Sequence, residues 1–166
     1  MKSKQSTFLK LCLADSLILL MRKKPYGEIA VTDICEKAGV SRSTFYRNLN
    51  KENPKDELLM FRIVQGWEEY REAHPQGRTN TALLAYVYSI KDLILMLSDL
   101  GLLRVAMNAF QVIINPSDNQ DKSASYALAF LAYGFYGVVY QWIAYRFDEP
   151  PEEVEKRIEA IHSQQH

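Results

Sequence analysis

Just after Ser41, the chain sets Arg42, Ser43, Thr44, Tyr46 and Arg47 on one short stretch of helical spacing, with apolar Phe45 and Leu49 falling on the opposite side. The chemistry available to such a set is recognition by hydrogen bonds and charge. A guanidinium at Arg42 can reach guanine O6 and N7 together, or else a phosphate. Ser43 and Thr44 are short enough to let a helix sit deep in a groove, and Tyr46 and Arg47 suit the sugar-phosphate backbone. Covalent chemistry has no comparable candidate. Cys12 and Cys35 lie in apolar helical stretches, where a free cysteine behaves as a small hydrophobe. His74, His162 and His166 are scattered, no CxxC spacing occurs, and no nucleophile–base pair is recognisable, so neither a metal site, a cofactor nor an enzyme is expected.

The elements that must hold this set are two short helices, about 31–38 and 42–48, joined at Gly39. Ile34, Ala38, Val40, Phe45 and Leu49 are available to pack inward. Gly39 is free to take positive φ, and Ser41 stands where a helix N-cap is wanted. This is the helix-turn-helix pattern, whose second helix enters the DNA major groove. A net charge of zero hides a split that fits it. Residues 1–51 hold ten lysines and arginines against four acids, a balance of +6, and the remainder has −6. A basic head that meets phosphate and an acidic body that does not are the natural reading.

All elements read as helical. A first helix over about 4–23 carries Leu13, Ala14, Leu17 and Leu20/Met21 at helical spacing. After the turn formers Asn50 to Pro54, helices are expected over about 54–72, 79–98, 101–114, 123–147 and 151–163. Breaks are expected at His74-Pro75-Gln76-Gly77, at Asn115-Pro116-Ser117-Asp118 and at Asp148-Glu149-Pro150-Pro151, with a polar cap over Asp118 to Lys122. The last helix carries Val154, Ile158 and Ile161 on one stripe. The apolar run after Phe8 is interrupted by Asp15 and closed by Arg22-Lys23-Lys24, which argues against a signal peptide. The run from Ala82 to Leu97 is too short to span a bilayer. A cytoplasmic protein with no membrane partner is therefore expected.

From Leu11 to about Leu59 the chain resembles the DNA-binding domain of the TetR family of bacterial transcriptional regulators. The resemblance rests on Ala14, Tyr26, Val31-x-Asp33-Ile34, Ala38-Gly39-Val40-Ser41, Thr44-Phe45-Tyr46 and Lys55-Asp56-Glu57-Leu58-Leu59. Tyr133-Gly134-Phe135-Tyr136-Gly137, through Trp142 to Pro150-Pro151-Glu152-Glu153, is similar to one of that family's C-terminal domain types. The resemblance implies an all-α chain: an N-terminal three-helix helix-turn-helix domain over 1–52 and a C-terminal helical ligand-binding and dimerisation domain over 53–166. It further implies a ligand-responsive regulator, most often a repressor, that binds a palindromic double-stranded operator as a homodimer. Thr32, Ser41, Arg42, Ser43, Thr44, Tyr46, Arg47 and Lys55 are the expected DNA-binding residues. Three features depart from the pattern, one of them Leu49 where the family usually has Phe. Ala30 replaces the usual Thr or Ser cap of the second helix, for which Thr32 can compensate by starting that helix later, and the Asn50–Pro54 link is longer than usual. They favour the alternative, a coactivator or effector-binding protein of the same fold that acts through protein contacts without operator binding.

The aromatic stretch over about 123–147 has two explanations. Gly134 and Gly137, with Ala127, Ala129 and Ala132, allow the close approach of helices in a homodimer built from this helix and the one over 151–163. The tyrosines instead suit a small-molecule pocket. For an effector of unknown identity the expected lining is Trp67, Tyr70, Tyr86, Met96, Met107, Phe110, Phe130 and Tyr133.

Overall fold

The computed structural model describes residues 2–50, 52–75, 79–114 and 121–163, with side chains beginning at Lys4, resuming at Thr81 in the third segment and ending at Ala160. Lys51, Gln76, Gly77, the 115–118 loop, residues 118–120 of the expected polar cap, the side chains of Ile161 and His162, and His166 lie outside the described residues. Among those described, all regular structure is helical: α1 (Lys2–Met21), a 3₁₀ turn (Tyr26–Glu28), α2 (Val31–Ala38), α3 (Arg42–Asn48), α4 (Pro54–Ala73), α5 (Thr79–Ser89), α6 (Lys91–Asp99), α7 (Leu103–Ile114), α8 (Lys122–Ala144) and α9 (Pro151–Ser163). The chain is all-α, as expected. It divides into two compact units, residues 1–65 and 66–166, with the first three turns of α4 in the first.

In the first unit α1 packs on α2 and α2 on α3. Leu13, Ala14, Leu17, Ile34 and Phe45 are wholly buried, and Leu58, Leu59 and Ile63 bring the start of α4 into the same core. Two ion pairs join α4 to α1, Lys10 Nζ–Glu57 Oε1 at 2.8 Å and Arg62 Nε–Asp15 Oδ1 at 2.9 Å. In the second unit α5 packs on α9, and α6, α7 and α8 pack on one another around Val87, Ile94, Leu97, Ala106, Phe110 and Val139. Trp142 closes this core. It stacks 5.5 Å from Tyr88, lies 4.9 Å from Phe147, and donates Nε1–H to Glu149 O at 3.0 Å.

Three expectations need correction. The single helix over 79–98 is two helices meeting at Ile90, bent by 67°. Ser89 Oγ donates to Tyr86 O at 2.6 Å, and Ile90, at φ −107° and ψ 18°, is no longer helical. A serine hydroxyl that competes for a main-chain carbonyl weakens a helix at that turn. The bend then lets α5 meet α9 while α6 meets α7 and α8. Second, α2 does not start late at Thr32. It starts at Val31 with Ala30 at the cap, and the Asp33 carboxylate accepts Ala30 N–H at 2.7 Å. Third, the aromatic helix stops at Ala144 instead of running to 147.

That stop is a Schellman motif. Arg146 N–H donates to Ile143 O and Phe147 N–H to Trp142 O, both at 2.9 Å, with the Phe147–Trp142 ring contact as the accompanying apolar clasp. The same hydrogen-bond pair ends α2 at Gly39 (φ 68°) and α6 at Gly101 (φ 71°). At the end of α8 two residues are left-handed, Arg146 at φ 56° in the place of that glycine and Phe147 at φ 55° after it. A side chain there costs about 1–2 kcal/mol.

The three ends predict opposite outcomes for opposite substitutions. Gly39→Ala meets no atom within 4 Å of the new Cβ, so its effect is the conformational cost alone, a loss of about 1 kcal/mol in urea unfolding. Arg146→Gly relieves the same cost. It gives up only the Arg146–Asp99 pair, both of whose side chains are more than half exposed and which contributes about 0–1 kcal/mol. A raised melting temperature is expected, and a fall would show that this ion pair outweighs the strain.

Candidate nucleic-acid interface and pocket

A seven-residue helix must be set by its ends, and both ends of α3 are tied. Ser41 caps it, its Oγ accepting Thr44 N–H at 3.1 Å and lying 2.9 Å from Thr44 Oγ1. At the other end Asn48 donates from Nδ2 to Thr44 O at 2.8 Å and accepts Ser6 Oγ–H at 3.1 Å, which fixes α3 to α1. Phe45 is fully buried and Leu49 nearly so, which turns the remaining side chains outward.

Arg42, Ser43, Tyr46 and Arg47 are exposed, Thr44 is half-buried, and Thr32 is exposed in the first turn of α2. Arg47 Nη2 donates to Ser43 Oγ at 3.3 Å, one turn apart, and Tyr46 leans edge-on against Phe45. The face therefore carries guanidinium at both ends and hydroxyls between.

Lys55 stands apart from this face. Its ammonium donates to Tyr26 O at 2.8 Å and to Ile29 O at 3.2 Å, and lies 4.2 Å from the centre of the Tyr26 ring. Burial lowers its pKa below the usual lysine value. Asp56, next to it, accepts Tyr26 Oη–H at 2.6 Å. The first turn of α4 thus clasps the loop that leads into α2.

The long link after Leu49 is tied as well. Glu57 Oε2 accepts Asn50 N–H at 2.6 Å while Oε1 takes Lys10, and Asn50 Oδ1 accepts Glu52 N–H at 3.0 Å in an Asx turn. Asp33 and Glu57 carry part of the family resemblance but had no positioning role assigned from the sequence, and Asn48 was passed over altogether. Asp33 carries the clearest signal, an acid at the third position of a helix without a cap side chain. Lys24 ion-pairs with it, and that bond first, the Ala30 N–H second, holds its carboxyl below the usual range.

The expected pocket residues separate into groups. Trp67, Tyr70 and Tyr86 form one aromatic cluster, with ring centres 5.7 to 6.3 Å apart, and His74 stacks on Tyr70 at 4.2 Å. A cleft of about 390 Å³ lies beside Tyr70, His74, Thr81 and Ala85. Phe110 is wholly buried against Phe135, and Met96 and Met107 are half-buried. Phe130 is 79% exposed, and Tyr133, 74% exposed, borders an open groove of about 150 Å³ between α7 and α8. Both belong to an open face of α8 with Tyr126, Leu131 and Tyr140, and Tyr145 just past the end of the helix is exposed as well.

No curated protein matches this sequence. Residues 102–164 match the family model of a TetR-type transcriptional regulator C-terminal region. That stretch does not overlap the motifs between Leu11 and Leu59, so two separate parts of the sequence point to the TetR family of transcriptional regulators.

Proposed function

We propose that this regulator binds a palindromic operator as a homodimer, most often to repress, and that a small molecule held in the C-terminal unit modulates the binding. The reading places the protein in the cytoplasm. The observation that carries it is the α3 face, where Arg42, Ser43, Thr44, Tyr46 and Arg47 stand over a buried Phe45 on a helix tied at both ends. TetR-family regulators generally bind DNA and often dimerise.

In this reading Arg42 reads a base edge, Ser43 and Thr44 meet base edges or phosphates, and Tyr46 and Arg47 contact the backbone. Thr32 approaches phosphate from the first turn of α2 and Ser41 from the turn between the helices. Lys55, expected at a phosphate, instead sets the frame by clasping the loop between Tyr26 and Ile29. The two features that favoured a coactivator lose their force: Asp33 supplies the Ala30 N–H with an acceptor, and Glu57 pins the long link.

The open face of α8 supports the dimer. So much aromatic surface on one helix of a single chain calls for a cover. α8 is also long and apolar enough to cross a membrane by length and composition alone. A second copy is the better cover because the face carries Gly134 and Gly137, at which an added Cβ would meet nothing within 4 Å in one chain. Mid-helix glycine costs about 1 kcal/mol relative to alanine, and close helix packing can offset that.

Selection from a random DNA library should enrich a palindrome. Arg42→Ala should then weaken the best site by about 1–3 kcal/mol and relax its sequence preference, whereas Arg47→Ala should weaken all sequences alike and flatten the salt dependence by about one unit of slope. Failure to enrich any palindrome at moderate salt would overturn operator binding and put the coactivator ahead.

Gly134→Leu tests the face. For an isolated chain it should raise stability by about 0.5–1 kcal/mol through helix propensity. For a dimer packed at this face it should instead shift the mass in detergent-free light scattering from two chains to one. Stabilisation without dissociation would refute the proposed face.

A further inference from the structure

None of the side chains of α3 is an anion, and Asn48 is its single amide. Both ends of that amide are engaged within the head. Nδ2 donates to Thr44 O at 2.8 Å, and Oδ1 accepts Ser6 Oγ–H at 3.1 Å. An amide or a carboxylate is what a helix uses to accept a hydrogen from a base amino group, Asn or Gln with adenine and Glu or Asp with cytosine. The outward face of α3 offers neither.

What remains on that face is a set of donors. Arg42, exposed at the start of the helix, carries N–H groups and no acceptor. Ser43 Oγ already accepts from Arg47 Nη2 at 3.3 Å, which leaves its own proton to point away. Ser41 Oγ accepts Thr44 N–H and shares a second hydrogen bond, 2.9 Å long, with Thr44 Oγ1. Whichever hydroxyl donates in that bond, one proton of the pair stays available to a third group. The hydroxyl oxygens keep lone pairs, but on a helix with an exposed guanidinium at each end and no carboxylate. The positive potential there attracts the lone pairs of a base edge and repels its amino hydrogens.

We infer that α3 selects among operator sequences by hydrogen-bond acceptors alone. It reads O6 and N7 of a guanine at Arg42, purine N7 or thymine O4 at Ser43 and at the Ser41–Thr44 pair, and no base amino group. This deepens, and rests on, the reading of the chain as an operator-binding regulator, and it gives the class of duplex edge that each half-site must present. Guanine sets two acceptors side by side in the major groove, whereas adenine sets its amino group beside N7, in the path of a guanidinium. The base at Arg42 is therefore guanine in each half-site, and adenine is repelled there.

Base analogues test this on the full-length parent protein. In the palindrome enriched from the random library, 7-deazaguanine removes N7 from one guanine at a time. Deoxynebularine opposite thymine removes the amino group of one adenine at a time and keeps its N7. At least one guanine per half-site should cost about tenfold in affinity on losing N7, as a broken bidentate contact does, and no adenine should cost more than about twofold on losing its amino group. Arg42→Gln supplies the amide that the face lacks, so selection with this variant should abolish the guanine preference at that position and favour adenine. An adenine whose amino group matters, guanines indifferent to the loss of N7, or a guanine preference that survives in Arg42→Gln would overturn recognition by acceptors alone. Each of those outcomes is read on an enriched palindrome and so leaves operator binding standing. A library that returns no palindrome refutes operator binding, and this inference with it.

Discussion

A seven-residue helix has no stability of its own in water, so the orientation of α3 is borrowed from whatever it packs on. The lenders are α2, on which α3 packs, and α1, to which Asn48 ties it, and the core beneath them is closed by the start of α4. Its Leu58, Leu59 and Ile63 are buried in the first unit, and each such side chain contributes about 1.5–3 kcal/mol. The polar contacts beside them are weaker. The Lys10–Glu57 pair keeps about a quarter of each side chain in solvent and belongs to a class worth about 0–1 kcal/mol. Burial therefore holds α4 down, and the polar contacts choose its register: Lys55 on the carbonyls of Tyr26 and Ile29, Asp56 on the Tyr26 hydroxyl, Glu57 on Asn50 N–H. Three consecutive residues reach three different points of the head, so α4 cannot slide or turn without breaking at least one of them.

The same division between burial and direction runs along α8. Leu128, Ala132, Phe135, Val139 and Trp142 recur at helical spacing on its inward stripe, and Tyr126, Phe130, Tyr133 and Tyr140 mark the outward one. A helix apolar on both stripes cannot be satisfied by a single small unit. Its inward stripe ends in a Schellman motif whose left-handed position holds an arginine where α2 and α6 have glycine. The clasp of Phe147 on Trp142, both nearly fully buried, outweighs that cost and fixes where the helix stops.

The head was legible in the sequence almost residue by residue. The bounds of α2 and α3 match because a glycine, a serine cap and a short apolar period mark them. What was not legible has two causes. The bend at Ile90 lies inside a run that is apolar throughout, where periodicity carries no break. Only the competing demands of α9 on α5 and of α7 and α8 on α6 divide it. Lys55 was legible as a cation near a helix start. That its charge turns inward, to two main-chain carbonyls, depends on a loop whose course no local rule specifies. The aromatic residues show the same limit. Spacing put Phe110 and Phe130 in one expected pocket, and packing puts one in the core and leaves the other on an open face.

That open face and the α7–α8 groove share one helix. Ala132 and Tyr136, a turn apart, border the groove; Phe130 and Gly134, offset by two positions, lie on the outward stripe. Most of α8 is open to solvent in one chain, so a second copy on the face would meet a helix held from its inward stripe alone. Alanine at the groove and glycine on the face offer few interlocking contacts of their own, so the position of α8 rests on its inward stripe, where Val139 and Trp142 are buried.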